Sequence, residues 1–221
     1  MQKLVLFDFD GTLADTAPDL AAAANKQRER KGLPPLPHET FRPYASHGAR
    51  GLLKVALDIA PGDRDYETCR QQFLEDYEQG MTTLTTLFSG VNELLGALKD
   101  EGYAWGIVTN KMEYLAIPLV VHLGLFTECA VTVGGDTTSH TKPHPAPLLH
   151  AAKETGFAPA DCIYVGDDER DIIAGKAAGM ATIVAAYGYC GKETALHTWQ
   201  ADAIAESPLD IWPAIQRWAV R

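Results

Sequence analysis

The chain reads as an α/β protein, a doubly wound parallel sheet of Rossmann-like form with an inserted all-helical block, and three observations point there. An apolar run, Leu4-Val5-Leu6-Phe7, stops abruptly at Asp8-Phe9-Asp10-Gly11-Thr12, as a buried strand does on reaching a polar edge. Beyond Gly90, strand-like apolar runs alternate with helix-like segments, the pattern of parallel strands joined by crossover helices. Between these regions the patterning stays helical, with no strand signal. The expected organisation is a core of residues 1–15 and 83–221, with residues 16–82 as a helical cap over the ligand-binding edge of the sheet.

In chain order, Asp15-Thr16-Ala17-Pro18-Asp19 supplies a helix cap, a first-turn proline and an early acid, and Leu20 to Arg30 favours helix. The run Gly32-Leu33-Pro34-Pro35-Leu36-Pro37 breaks it. Helices are expected from Gly48 to about Asp58, from Asp65 to Gln79 and from Val91 to Asp100. A strand at Ala104 to Val108, a helix at Tyr114 to Leu123 and a short strand at Ala130 to Val133 follow. The series ends with a helix near Pro147 to Glu154, a strand at Cys162 to Val165, a helix at Asp171 to Ala178 and a strand at Thr182 to Ala185. Trp199, Trp212 and Trp218 lie near or within a terminal helix and read as packing residues, while Glu75, Asp76 and Glu78 read as a solvated helix face.

Composition sets the bounds. At 221 residues, with 46% hydrophobic and 22% charged residues, the chain has ample length for a core and the balance of an ordinary soluble protein. A net charge of -10 excludes nucleic acid and anionic membrane surfaces as expected partners, since no basic stripe exists to displace counterions. Cys69, Cys129, Cys162 and Cys190 are far apart, which suits reduced thiols better than zinc or a disulfide framework. Met1-Gln2-Lys3 leads straight into the first strand, so no export signal is expected and a cytoplasmic location is. No apolar run approaches the length of a membrane span.

Ligands of such sheets bind beyond the carboxyl ends of the strands, so the residues there should carry the chemistry. Alternation puts Asp8 and Asp10 on one side with Phe9 on the other, and Gly11 lets the backbone turn. Two adjoining acids raise each other's pKa, which is costly unless a cation lies between them. An Asx-type turn is the plainer alternative. Thr109, in Thr109-Asn110-Lys111, offers a hydroxyl to a phosphate oxygen or simply caps a helix. Lys142 is fixed ahead of Pro143-His144-Pro145, where it is either a placed cation or a solvated surface lysine; His144 reads as a surface residue. Gly166-Asp167-Asp168-Glu169-Arg170-Asp171 ends another buried strand in an acid cluster. Gly188 to Thr194 looks faintly like a phosphate loop but fails its spacing, and reads as a surface loop.

These four segments, in this order, resemble the four motifs of the haloacid dehalogenase-like hydrolases. The resemblance implies a Mg²⁺-dependent phosphomonoesterase with Asp8 as nucleophile, Asp10 as general acid and base, and an aspartyl-phosphate intermediate. It implies phosphate binding by Thr109, Asn110 and Lys142, with Lys142 also counted as catalytic. Asp8, the main-chain carbonyl of Asp10, and Asp167 would hold the metal. Thr12, expected to orient Asp10, Asp168 and Asp171 would stand behind them. Asp168 replaces a common Ser, and either caps the following helix or adds an outer carboxylate.

The helical cap matches the subgroup that includes phosphoglycolate phosphatases. Ser46-His47-Gly48-Ala49-Arg50, Trp105 to Lys111, Gly166 to Ile172 and Tyr187-Gly188-Tyr189 are similar to N-acetylmuramic acid 6-phosphate phosphatases of peptidoglycan recycling. Selectivity is expected from the cap, where His47 and Arg50 would meet a substrate carboxylate, unless Arg50 is simply an exposed helix residue. The expected partner is a small phosphate ester. Alternatives are a phosphosugar mutase of the same superfamily, a phospho-receiver, and a phosphosugar-binding protein without turnover; a phosphonatase would need a Schiff-base lysine, for which Lys54 is the nearest cap candidate.

Overall fold

The computed structural model of the chain describes residues 3–190 and 195–219. The chain divides into two compact units, Met1–Ala14 with Leu87–Arg221, and Asp15–Thr86. In order, β1 (Leu4–Phe7) and β2 (Ala14–Asp15) lead into α1 (Ala17–Arg30), α2 (His38–Phe41), α3 (Gly48–Leu57) and α4 (Tyr66–Gly80). The chain returns through β3 (Thr86–Leu87), α5 (Val91–Asp100), β4 (Ala104–Val108), α6 (Glu113–His122) and β5 (Thr132–Val133). It ends with α7 (Ala146–Thr155), β6 (Cys162–Gly166), α8 (Glu169–Ala177), β7 (Ala181–Ala185), β8 (Ala203–Ala205) and α9 (Ile211–Ala219).

The larger unit is a six-stranded sheet of order β5-β4-β1-β6-β7-β8, with β2 and β3 forming a separate two-stranded sheet where the chain leaves and re-enters it. All pairings in the large sheet are parallel, and β1 is central, with Leu6 opposite Gly106 on one side and Tyr164 on the other. Such a strand meets packed groups on both faces, which is why it reads as an unbroken apolar run rather than an alternating one. Leu4 to Phe7 are fully buried, each side chain contributing roughly 1.5–3 kcal/mol of transfer free energy. Leu4, Leu6, Val108, Val133 and Tyr164 share one core cluster with Leu148, Ala151 and Ala152 of α7 and Ala174 of α8. Connections are crossovers, so the carboxyl ends of β1, β4 and β6 lie side by side at one edge.

Some expectations shift. The strand at Ala203–Ala205 has no counterpart in the sequence reading: three residues ending at the sheet edge are too few to show a period. The terminal helix is present, and its tryptophans pack, Trp212 edge-on to Tyr103 at 5.4 Å and Trp218 beneath the Lys3 ammonium at 4.0 Å; Trp199 lies in a short 3-10 turn instead.

The helical unit is held by polar clamps as well as by packing. Asn25 exchanges two 2.9 Å hydrogen bonds with the backbone of Leu36, and Arg28 Nε donates to Pro34 O at 2.7 Å, pinning the proline-rich break against α1. Asp19 accepts from the main-chain N–H groups of Leu84 and Thr85 and from the Thr85 hydroxyl, tying the first turn of α1 to the returning chain. Asp76 corrects the reading of a solvated face: it is buried, accepts from Gln27 Nε2 at 2.7 Å and pairs with both outer nitrogens of Arg30. Glu75 and Glu78, on the other side of α4, are exposed. Among the described residues no helix is long and apolar enough to cross a membrane, and the four cysteines are free thiols.

Candidate active site

The site grows from the end of β1. The Asp8 main-chain N donates to Val165 O at 2.8 Å, so the residue stays in register with β6 as the strand ends. Gly11 then adopts φ +86°, a conformation that costs other residues a Cβ clash. A Cβ there would also stand 2.7 Å from Asp167 Cγ. The turn closes with Leu13 N and Ala14 N both on Phe9 O, and it carries the Thr12 hydroxyl to Asp167, where it donates to Oδ1 at 3.0 Å. Thr12, expected to orient Asp10, is thus bonded to Asp167.

At the end of β6, Asp168 is the N-cap of α8. Its side chain accepts from Arg170 N, while the Asp171 carboxylate accepts from Asp168 N, a capping box. Of the two readings the sequence leaves open for Asp168, helix capping is the one seen; its carboxylate also holds the Arg170 guanidinium at 2.8 Å. The cap turns Asp171 back toward β1. Carboxylate oxygens of Asp8, Asp167 and Asp171, all buried, lie within 4.8 Å of one another. The motif resemblance puts Asp171 behind the metal ligands and Asp10 among them, through its carbonyl; the structure gathers the side chains of Asp8, Asp167 and Asp171.

Lys142 balances part of this charge. Its ammonium lies 2.9 Å from Asp8 Oδ1 and 2.7 Å from Asp171 Oδ1, and its side chain is 2% exposed, so it is no solvated lysine. Burial opposes its charge, but Asp171 and Asp8 outweigh burial and hold its pKa above the ordinary value. One ammonium is too little for three acids. Burial pushes the Asp8 carboxyl up to about 7, with Asp171 and Asp10 adding to the rise and Lys142 opposing it. Asp167 is also raised, by burial first and then by Asp8 and Asp171, against the hydrogen bonds from Tyr189 N and Thr12. Three buried carboxylates, short of positive charge and offering only oxygen, fit a hard divalent cation such as Mg²⁺.

At the end of β4, Thr109 is buried and its hydroxyl oxygen accepts from Lys111 N at 3.1 Å, leaving its proton to donate. The Asn110 side chain makes two 2.9 Å bonds to the backbone of Lys142, accepting from its N and donating to its O. Lys111 follows in the same motif, where the sequence suggests no role for it. Its ammonium lies 3.0 Å from Asp10 Oδ1, both side chains being largely buried. Two further participants escape the sequence reading. Tyr164 of β6 accepts from Lys142 Nζ at 2.7 Å, and Tyr189 N donates to Asp167 Oδ2 at 2.8 Å. The expected surface loop takes in Gly188 and Tyr189; the chain leaving β7 instead brings them against Asp167 and the Gly11 carbonyl. The rest of that expected loop, 191–194, lies outside the described residues.

His47 and Arg50 belong to the helical unit, where both are exposed: His47 immediately precedes α3 and Arg50 sits in its first turn. Lys54 is exposed and paired with Asp58, without the desolvation a Schiff-base lysine requires. His144 is exposed, as expected, its ring stacked on that of His140 at 4.1 Å.

These observations define the class: an α/β protein of two compact units, with buried acids and a lysine gathered at one edge of its parallel sheet. The family model of haloacid dehalogenase-like hydrolases matches residues 5–185, and the chain belongs to that family. It is an enzyme of the phosphatase kind, similar over almost its whole length to curated phosphatases. A phosphoglycolate phosphatase of Xanthomonas campestris is 46% identical over 214 residues, covering 95% of each chain. An N-acetylmuramic acid 6-phosphate phosphatase of Pseudomonas aeruginosa is 38% identical over 215 residues, covering 97% of this chain and 95% of the relative. Among solved structures, a predicted phosphoglycolate phosphatase from Haemophilus somnus superposes with a TM-score of 0.84 at 29% identity, over 96% of this chain and 97% of that one.

Proposed function

We propose that the chain is a Mg²⁺-dependent phosphomonoesterase that transfers the phosphoryl group of a small, carboxylate-bearing ester to Asp8 and then to water. The observation that carries the proposal is the Asp8 carboxylate: buried at the end of β1, held by Lys142 at 2.9 Å and adjoining Asp167 and Asp171. Asp8, Asp167 and the Asp10 carbonyl would hold the cation, with Asp171 beside them; bound there, Mg²⁺ supplies positive charge to the phosphoryl oxygens.

In the first step an Asp8 oxygen attacks phosphorus, the ester P–O bond breaks and Asp10 gives a proton to the leaving oxygen. In the second, Asp10 takes a proton from water, the water oxygen attacks phosphorus and the bond to Asp8 breaks. The Thr109 hydroxyl and the Lys142 ammonium face the charge that spreads over the transferring oxygens, the principal catalytic demand of this chemistry. Nothing in this machinery reads the alcohol. We assign that task to the helical unit, with Arg50 and His47 as the groups that would meet a substrate carboxylate.

Two substrates named for the relatives, 2-phosphoglycolate and N-acetylmuramic acid 6-phosphate, carry such a carboxylate. Side-by-side kcat/KM on the two esters, with Asp8→Asn as the blank, tests the reading. Steady Mg²⁺-dependent phosphate release that vanishes in Asp8→Asn supports it. A phosphoprotein that accumulates without release would make the chain a receiver, and turnover surviving Asp8→Asn would remove the mechanism.

A further inference from the structure

Lys142 is useful only if its ammonium stays on the line between Asp8 and Asp171, yet a lysine side chain has four rotatable bonds. Its three N–H groups are all accounted for: Asp8 Oδ1 at 2.9 Å, Asp171 Oδ1 at 2.7 Å and the Tyr164 hydroxyl oxygen at 2.7 Å. The third partner is a neutral group, unlike the two carboxylates. Tyr164 belongs to β6 and stands opposite Leu6 of β1, but its hydroxyl donates to Val108 O of β4 at 2.7 Å. Since β1 lies between β6 and β4, the buried ring reaches across the central strand to make that bond.

A phenol has one proton to give. With that proton on Val108 O, and Asp171 Oδ1 more distant at 3.4 Å, the oxygen is left as an acceptor aimed at the ammonium. The other end of Lys142 is fixed independently. Asn110 bonds to its main-chain N and O in a closed pair, with both distances 2.9 Å. The flexible stem is thus pinned at the backbone and at the head, which removes the rotamer freedom that would otherwise blur the position of the charge.

We propose that Tyr164 and Asn110 are positioning residues that hold Lys142 in place for phosphoryl transfer, Tyr164 at the ammonium and Asn110 at the backbone. This rests on the phosphatase reading above, and gives the Asn110 side chain a task other than direct contact with phosphate. Tyr164 needs neither to touch the substrate nor to change protonation. Its contribution is a fixed lone pair. It also links the end of β4, where Thr109 stands, to the lysine, so both phosphate-facing groups share one support.

The test is a pair of double-variant cycles: Tyr164→Phe and Asn110→Ser, each made in wild-type and Lys142→Met backgrounds. Turnover of an alkyl phosphate and competitive inhibition by inorganic phosphate are read with Mg²⁺ present. In the wild-type background each variant should lower kcat/KM by about ten- to hundredfold, Tyr164→Phe through the loss of one hydrogen bond to a charged group and Asn110→Ser through the loss of two neutral ones. Each should also weaken inhibition by inorganic phosphate. In the Lys142→Met background neither change should have more than a small further effect, because the group being held is gone. Equal losses in both backgrounds would overturn the proposal, showing that the residues act directly on substrate or only through the fold. Should Tyr164→Phe fail to fold, the Asn110→Ser cycle decides by the same criterion. A wild-type chain inert toward every phosphate ester refutes the phosphatase reading itself; an active wild type with additive variants refutes only the hold.

Discussion

Gly188 offers a perturbation whose size can be worked from the structure, because it stands where the loop leaving β7 meets the acid cluster. A Cβ at this position would fall against the Gly11 carbonyl oxygen and Asp167 Cβ, and 2.8 Å from Asp167 Cγ. None of these is the free end of a flexible side chain: one belongs to the backbone of the β1 turn and the others are the root of a carboxylate. Ordinary carbon contacts begin near 3.5 Å, so Gly188→Ala must move Asp167 or the loop by about 1 Å. Displacing the loop also pulls Tyr189 N away from Asp167 Oδ2, a 2.8 Å bond. The stability cost should be modest, about 1–3 kcal/mol for overpacking. The functional cost should exceed it, since a misplacement of about 1 Å is worth on the order of 100-fold in rate. The assay is kcat against Mg²⁺ concentration, with thermal unfolding alongside. The expected result is a folded protein with a raised Mg²⁺ requirement and kcat lower by roughly two orders of magnitude. Wild-type kcat and Mg²⁺ dependence in Gly188→Ala would refute the placement of Asp167 and the loop as one metal-facing unit.

Other perturbations separate the remaining roles. Asp10→Asn should lose about 10²–10⁴-fold on an alkyl phosphate, which needs a proton on its leaving oxygen, and much less on p-nitrophenyl phosphate; a loss under about tenfold on the alkyl ester would end its assignment as acid and base. Arg50→Ala should raise KM for carboxylate-bearing esters and leave p-nitrophenyl phosphate nearly unchanged, whereas equal losses on both would show no recognition role. In the helical unit, the hydrogen bond from Arg30 holds the Asp76 carboxyl below its usual range, against the opposing effect of burial and with help from the charges of Arg30 and Lys26. A folded pKa depressed below the unfolded value gives stability that is fully present above about pH 4 and lost as pH falls through the folded pKa. Asp76→Asn should therefore lower stability at neutral pH and flatten the acid limb of a circular-dichroism titration; an acid transition parallel to wild type would contradict the ion pair's role.

The candidate site is legible in the sequence because of a regularity of parallel sheets: buried strands end where ligands bind, so an acid, a hydroxyl or a glycine directly after an apolar run is already placed. Asp8, Thr109 and Asp167 are located in this way, each following β1, β4 or β6 without a gap. What stays hidden is pairing across strands. Lys111 is the last residue of a short motif until Asp10, far away in sequence, is found 3.0 Å from its ammonium. Tyr164 reads as one more apolar residue of a buried strand, since its value lies in a hydroxyl that crosses β1 to reach Val108 O. Asp76 passes for a solvated residue because α4 carries acids on two sides, and only the placement of Gln27 and Arg30 on α1 distinguishes the buried one.

The two kinds of residue differ in what fixes them. Position after a strand is a local property, written in the apolar run itself, whereas the partners of Lys142 come from the residues just beyond β1 and β4, from β6 and from α8, and meet only once the sheet order is set. A single lysine held by four separate elements is a demanding arrangement to assemble, and it makes sense only where one positive charge must be kept still. The buried acids around it create that need: burial raises the pKa of both Asp8 and Asp167, and in the proposed mechanism a protonated Asp8 would be no nucleophile. In that mechanism the fixed lysine and a bound cation would serve the same end, an ionised Asp8 at neutral pH.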